Sequence, residues 1–194
     1  MKNCLRLARC YSGAVCGVGA RSVEIEVCAS GGVPQFTIVG LPDAAVKEAK
    51  DRVSTAISNS GYPHLESCVT VNLAPADVRK EGPLYDLPMA VALLAAAGKA
   101  RCPDLDEWGL VGELALSGAV RRIRGVLPIV LEMRRIGKKG VLVPTENADE
   151  ASVVNGISVY PVATLREAVD FLEGKCELRP VFTDLTRLGS AGRD

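Results

Sequence analysis

The chain is poor in the residue types that most often mark a nucleic-acid surface or a membrane segment. Its 194 residues carry a formal net charge of zero and only eight aromatic side chains, namely one Trp, four Tyr and three Phe. Bulk electrostatic binding of nucleic acid needs a basic excess, and base stacking needs a platform of aromatic rings. The longest wholly apolar run, residues 87–97, would extend only about 16 Å as a helix, half of a bilayer core. We therefore expect neither autonomous DNA binding nor a membrane protein.

The cysteines do not suggest a disulfide framework or a metal site. There are seven of them, an odd number, and no CxxC pair occurs. Cys4, Cys10 and Cys16 are six residues apart and could share one face of a strand, where we interpret them as small core residues. Arg6 and Arg9 interrupt any apolar stretch near the amino terminus, so no signal peptide is predicted. A reducing cytoplasm is the expected location.

Strand and helix patterns alternate along the chain. Apolar periodicity predicts helices at residues 42–60, 86–97, 125–136, 147–154 and 164–174. Alternating or continuous apolar residues predict strands at 4–11, 22–28, 36–39, 69–73, 109–116, 119–123, 141–143 and 157–160, with Ser117-Gly118 as a tight hairpin turn. Strands mixed with crossover helices indicate an α/β domain with a layered mixed sheet. The periodicity fades at residue 175, so we interpret 175–194 as a tail or linker.

The most informative segment lies between residues 69 and 98. A strand pattern is followed by a charged loop, and a helix without polar side chains in its interior then begins at Asp86. The amino end of a buried helix is a place where a protein can hold an anion or a catalytic group. The sequence therefore predicts an interaction loop, whose candidate residues are Asp77, Arg79, Lys80, Glu81 and Asp86.

A purely structural interpretation of this loop is equally open. In it, Asp86 caps the helix, while Arg79 or Lys80 pairs with Asp77 or Glu81. A second basic set follows the predicted hairpin and has its own alternative as a solvated strand edge. Its members are Arg121, Arg122 and Arg124.

The sequence contains no recognisable phosphate-binding or metal-binding motif. No Gly-Lys pair continues as GxxxxGK[ST], the loop that cradles nucleotide phosphates. The single histidine, His64, falls in a predicted loop, and Asp104, Asp106 and Glu107 are better explained as a solvated acidic loop than as an oxygen cage. We predict no metal site and no cofactor for this chain.

Several segments together resemble one known family. They are VEIEV at 23–27, FTIVGLPDAAVKEAKDRVSTAISNSG at 36–61, VNLAPADVRKEGPLYDLP at 71–88, VGELALSGAVRRIRGVLP at 111–128 and VLVPTENADEA at 141–151. The chain is similar, from about Leu5 to Gly174, to the amino-terminal domain of the Mg-chelatase-like AAA+ proteins of the ComM/YifB group. More distantly it resembles the proteolytic domain of Lon, so the resemblance implies a Lon-like fold for residues 1–174.

The resemblance also implies which residues stand at the Lon catalytic positions. Lon-type domains use a serine activated by a lysine of depressed pKa. Leu84 matches the serine, and Val126 or Leu127 matches the lysine, depending on the register. No catalytic residue is therefore expected. In the family, ATP and magnesium bind to an AAA+ module that follows this domain.

The function implied by the resemblance is that of a non-catalytic accessory domain. Family members form hexameric rings and are associated with DNA branch migration in recombination and natural transformation. The expected partners are the AAA+ module and neighbouring subunits, with DNA contacted through the full-length protein. If the fold is Lon-like, the basic set would lie near the interaction loop. Two alternatives remain: a stand-alone interaction module from a truncated gene, and a residual Lon-like hydrolase that uses Ser117 or a cysteine.

Overall fold

The computed structural model describes residues 6–183. The strands are β1 (Arg6–Cys16), β2 (Gly19–Ser30), β3 (Gln35–Val39), β4 (Cys68–Ala74), β5 (Trp108–Leu110), β6 (Glu113–Leu114), β7 (Val120–Arg121), β8 (Gly140–Pro144) and β9 (Ser158–Val162). The α-helices are α1 (Ala44–Asn59), α2 (Asp86–Ala96), α3 (Val126–Arg135), α4 (Ala148–Ala151) and α5 (Leu165–Leu172). Short 3-10 turns precede α2, β5 and α4, at Pro83–Tyr85, Leu105–Glu107 and Thr145–Asn147.

Seven of the strands form one mixed sheet in the order β3-β4-β2-β1-β5-β8-β9, and β6 pairs with β7 in a separate ribbon. The β1–β2 and β2–β4 pairs are antiparallel, whereas β3–β4, β1–β5, β5–β8 and β8–β9 are parallel. Parallel neighbours need crossover connections, which the helices supply. The predicted layered α/β class is confirmed.

A long hairpin occupies the middle of the sheet. The β1–β2 pairing runs from Arg6↔Ala29 to Cys16↔Gly19, and a two-residue turn closes it. Its first residue, Gly17, has φ +61°, as the first central position of a II′ turn requires. The sequence pattern predicted β1 only to residue 11, because small residues continue the strand without an apolar alternation.

Helices cover both faces of this hairpin. On one face, the thiol of Cys10 donates to the Pro88 carbonyl of α2 at 3.5 Å. On the other, Gly13 leaves room for α3, since a Cβ there would lie 3.0 Å from Ile129 Cγ2. Residues 10 and 13 face opposite sides because strand side chains alternate. Cys10 is buried as expected, Cys16 is exposed, and Cys4 lies outside the described residues.

Helix α1 follows the sequence expectation closely. The Asp43 carboxylate accepts from the Val46 N–H at 2.8 Å and caps the helix. The whole predicted apolar face is buried, namely Val46, Ala49, Val53, Ala56 and Ile57. A capping residue followed by apolar residues at 3.6-residue spacing is therefore a reliable helix signal, because the cap fixes the start of the helix and the spacing gives it one apolar face.

Two predicted strands differ from the structure. The predicted strand at 109–116 is divided between β5 in the main sheet and β6 in the ribbon, and the loop of the ribbon hairpin has three residues, 116–118. Gly118, at φ +91°, ends that loop after a type I turn. The short, mostly apolar segment at 36–39 predicts a buried strand, but β3 is an edge strand with exposed ends.

The end of the described chain returns to the sheet. The Val181 N–H donates to the Val159 carbonyl of β9 at 2.8 Å, and the Thr183 N–H donates to the Ser152 carbonyl at 3.2 Å. Residues 184–194 of the predicted tail lie outside the described residues. Within residues 6–183, no helix is long and apolar enough to cross a bilayer.

Candidate functional site

Lys80 fixes the predicted interaction loop to the rest of the domain. It has no exposed surface, and its ammonium donates to the Gly40 carbonyl at 2.7 Å and to the Pro75 carbonyl. The Lys80 N–H also donates to the Leu41 carbonyl at 3.2 Å. Burial lowers the pKa of Lys80, and Asp77 acts in the opposite direction. Lys80 therefore holds the segment at residues 76–83 against the turn that precedes α1.

Asp86 is buried at the start of α2 and forms its hydrogen bonds with α1 and with the ribbon. Its carboxylate accepts from Arg52 Nε at 2.8 Å, from Arg52 Nη2 at 3.0 Å and from the Leu114 N–H at 3.1 Å. The structural alternative in which Asp86 caps α2 does not hold, because the cap position is Tyr85 and no side chain bonds there. Burial raises the pKa of Asp86, while Arg52 and the Leu114 N–H act in the opposite direction. Asp86 thus ties α2 to α1 and to the ribbon.

The remaining three candidate loop residues are exposed. Arg79 pairs with Glu81 at 3.1 Å, and Asp77 lies 3.9 Å from Arg21. Exposed pairs of this kind contribute little stability, about 0–1 kcal/mol. Asp77, Arg79 and Glu81 are therefore the members of the loop that a partner can reach, whereas Lys80 and Asp86 are structural.

Two exposed loop residues, Arg79 and Glu81, and two members of the basic set border one cavity of about 600 Å³, whereas Asp77 lies outside its lining. Four chain segments supply its walls: the end of β1, the turn before α2, β6 and the turn before α3. The lining residues are Ala14, Val15, Arg79, Glu81, Gly82, Pro83, Leu84, Tyr85, Glu113, Arg122, Ile123, Arg124 and Gly125. A cavity of this volume is in the range of small-ligand sites. The structure thus brings the loop together with Arg122 and Arg124, while Arg121 lies in β7 opposite Glu113 and outside the lining.

The two arginines on this wall are not neutralised by the described part of the protein. Arg122 and Arg124 are exposed, and within residues 6–183 neither has a carboxylate oxygen within 4.0 Å. Gly125 precedes α3 at φ +77° and provides no side-chain cap. The amino end of a helix carries a partial positive charge. This side of the cavity is therefore its electropositive side.

A sequence model of "Subunit ChlI of Mg-chelatase" matches residues 25–147 of the chain, which include both turns of the cavity. The chain belongs to the ChlI family. The Mg-chelatase-like resemblance noted from the sequence is confirmed.

Named relatives of this ChlI-family chain support the same grouping. It is 45% identical over 181 residues to "Uncharacterized protein YifB" of Escherichia coli, and 42% identical over 183 residues to "Competence protein ComM" of Haemophilus influenzae. These matches cover 93% and 94% of the chain but 36% of each relative. The chain thus spans a little over a third of the length of these proteins. It is also 27% identical over 125 residues to "Lon protease 2" of Bacillus subtilis, covering 64% of the chain and 22% of that protein.

The cavity contains one of the positions that the Lon resemblance singled out. Leu84 lines it, whereas Val126 is fully buried and neither Val126 nor Leu127 is among its lining residues. Among the described residues that line it, none is Ser, Thr, Cys or Lys. The hydroxyl on this wall belongs to Tyr85, which donates to the Gly13 carbonyl at 3.1 Å and whose pKa is raised by burial. The wall therefore offers cations, two carboxylates and apolar surface.

Other candidate groups lie elsewhere in the ChlI-family chain. Ser117 is in the ribbon turn, where its hydroxyl accepts from the Ala119 N–H at 3.3 Å. His64 borders a separate depression beside Leu93 of α2. Among residues 6–183, no group of three or more His, Cys, Asp or Glu side chains is arranged to hold a metal ion. Sequence reasoning missed Arg52, whose partner Asp86 is distant in the chain.

Proposed function

We propose that this chain is a non-catalytic accessory domain of a ComM/YifB-type AAA+ ATPase that acts on DNA in recombination. In this role it works in the cytoplasm, docks on the ATPase ring and assists ring assembly or shapes the DNA path. The similarity to YifB and ComM over more than nine-tenths of the chain supports this assignment. ATP and magnesium then belong to the AAA+ module, and hexamer neighbours are the protein partners.

The observation that carries the proposal is the wall of the cavity. A Ser–Lys hydrolase needs a hydroxyl and an amine in one cleft. The Lon resemblance puts Leu84 at the first position and Val126 or Leu127 at the second, and Lys80, the lysine of the interaction loop, is turned inward onto backbone carbonyls. An alkyl side chain can neither attack a carbonyl nor accept a proton. This wall suits binding and not peptide cleavage.

A domain exchange in ComM tests the proposal. The matching amino-terminal region of H. influenzae ComM would be replaced by residues 1–174 of this chain, and a second variant would lack the region altogether. We expect the exchanged protein to form rings and migrate branched DNA, and the truncated one to lose one or both activities. Light scattering measures assembly, and a labelled four-way junction measures migration. Unchanged assembly and migration in the truncated protein would contradict an accessory role.

A protease control separates the hydrolase alternative. The isolated chain would be incubated with casein and with fluorophosphonate and iodoacetamide probes. We expect that casein is not cleaved and that the fluorophosphonate probe labels no individual hydroxyl of the chain. Casein cleavage that disappears with one Ser→Ala or Cys→Ala change would instead establish an enzyme.

A further inference from the structure

Among the described residues, the charges around the cavity leave two cations without a partner. Arg79 is paired with Glu81, and Glu113 lies across the ribbon from Arg121. Arg122 and Arg124 remain, both exposed and both on the turn before α3. The planar guanidinium group binds carboxylates and phosphates through paired N–H bonds. The ligand of this wall is therefore expected to carry at least one anionic oxygen pair.

Apolar side chains also line the cavity. Val15 at the end of β1 is 47% exposed, and Pro83 and Leu84 line the cavity beside it. A bulky aliphatic side chain left in water at the mouth of a concave site favours an occupant with its own apolar group. A single inorganic anion would leave this surface uncovered.

The charge pattern disfavours a nucleic acid as the occupant. Glu81 and Glu113 line the same cavity and would repel a run of phosphates. The aromatic side chain among the described lining residues, Tyr85, is 1% exposed and offers no face for base stacking. A peptide avoids both problems, because its backbone N–H groups can donate to Glu81 or Glu113 while its carboxylate faces the arginines.

We propose that this cavity binds an acidic peptide segment of a partner protein, with a carboxylate held by Arg122 and Arg124 and a neighbouring aliphatic side chain packed on Val15 and Leu84. The inference rests on the proposed accessory function, since it treats the cavity as a site that binds and does not react. It adds the chemistry of the partner, namely an exposed chain that alternates aliphatic and acidic residues.

Fluorescence anisotropy with three labelled probes tests the inference. The probes are a short peptide of alternating leucine and glutamate, the same peptide with lysine in place of glutamate, and a single-stranded oligonucleotide. The full chain would be compared with the double variant Arg122→Gln/Arg124→Gln, with Val15→Asp and with the matched control Arg121→Gln. All four positions are exposed, so circular dichroism should show the same folded spectrum for each variant.

We expect the acidic peptide to bind and the lysine peptide not to bind. Loss of two charge-assisted contacts should weaken binding about tenfold or more, and Val15→Asp should also weaken it, while Arg121→Gln stays within about twofold of the parent chain. Raising the salt concentration from about 50 mM to about 500 mM should weaken binding as well.

Three results would overturn the inference: no peptide binding, equal binding by the double variant and the Arg121 control, or oligonucleotide binding that depends on Arg122 and Arg124. These failures differ from failure of the accessory role itself. If the acidic peptide does not bind but the ComM exchange still assembles and works, only the ligand assignment is wrong. Cleavage of the peptide during the assay would instead contradict the non-catalytic role.

Discussion

The pair formed by Arg52 and Asp86 offers an internally controlled test of how the domain is held together. Arg52 contacts two carboxylates, Asp86 at 2.8 Å and Glu48 at 3.7 Å. The Asp86 side chain has no exposure, whereas that of Glu48 is 72% exposed. Arg52 therefore takes part in one buried and one solvated ion pair, so the two kinds of pair can be compared in the same fold.

Arg52→Met should destabilise the chain by about 3 kcal/mol. Removing one partner of a buried pair costs about 3–5 kcal/mol, because the remaining charge is left without water or a counter-ion. The lower end applies here, since the Arg52 side chain is 20% exposed and Asp86 keeps the Leu114 N–H. In a domain of this size, that change corresponds to a decrease of about 6–12 °C in melting temperature.

A control variant and a double variant complete the comparison. Glu48→Gln should change the free energy of unfolding by only about 0.3–0.5 kcal/mol. Arg52→Met/Asp86→Asn should be less destabilised than the sum of its single changes, because the neutral amide that replaces the carboxylate no longer needs a cation. Urea unfolding followed by circular dichroism measures the parent chain, the single variants Arg52→Met, Asp86→Asn and Glu48→Gln, and the double variant. If Arg52→Met and Glu48→Gln lose the same stability, the buried pair does not have the importance assigned to it.

Three further predictions use the same unfolding assay. The Arg135 guanidinium holds the pKa of Glu132 below its ordinary 4.5. Stability from this pair is present above that value and is lost as pH falls through the lower folded pKa, so Glu132→Gln should flatten the loss of stability below pH 4.5. Lys80→Met leaves the buried Gly40 and Pro75 carbonyls without a hydrogen-bond donor and should lower the free energy of unfolding by about 1–3 kcal/mol. The exposed Arg79→Met should lower it by less than about 0.5 kcal/mol. Similar losses would refute the anchoring role of Lys80. Gly40→Ala drives a Cβ into the Leu73 carbonyl of β4 and should unfold the chain. Gly82→Ala meets nothing within 4 Å and should lose about 1–3 kcal/mol to backbone strain, because Gly82 has φ 79° and ψ 173°; equal effects would contradict the packing described here.

Local signals in the sequence predicted the elements that local physics determines. The sequence Thr164-Leu-Arg-Glu167 is typical of a capping box, and a close variant of it forms: the Glu167 N–H donates to the Thr164 hydroxyl at 3.1 Å, and the Glu167 carboxylate accepts from the N–H of Ala163, one residue before the cap, at 2.7 Å. Both contacts join residues within a few positions of each other, so the motif contains its own partners. The same holds for α1 and its cap.

Hydrogen-bond partners that are distant in the chain could not be predicted from such local patterns. Asp86 follows a charged loop and precedes an apolar run, a pattern that is also typical of a cap. Its real partners are Arg52, 34 residues earlier, and Leu114, 28 residues later. Lys80 was equally ambiguous, because a lysine between Arg79 and Glu81 looks like part of a solvated loop. Its burial depends on the turn at Gly40 and on the path of β4, which only the tertiary structure fixes.

The proximity of the two polar segments was predicted only conditionally. The sequence placed Arg121, Arg122 and Arg124 near the loop if the fold were Lon-like, and the cavity brings two of them to Glu81. Arg121 lies within β7, whereas Arg122 and Arg124 follow that strand on the turn before α3, where both line the cavity. The position of this turn in the fold, and not the composition of the segment, therefore selects the cavity residues.

Because its side chain points inward, Lys80 can serve as a probe of local opening of the domain. Amine-acylating reagents reach the exposed lysines at once, but they can modify Lys80 only when the segment at residues 76–83 lifts from the turn before α1. The rate of acylation at that single position, read by peptide mass mapping, therefore reports the opening frequency of the cavity rim. A bound partner would slow that rate without touching the lysine.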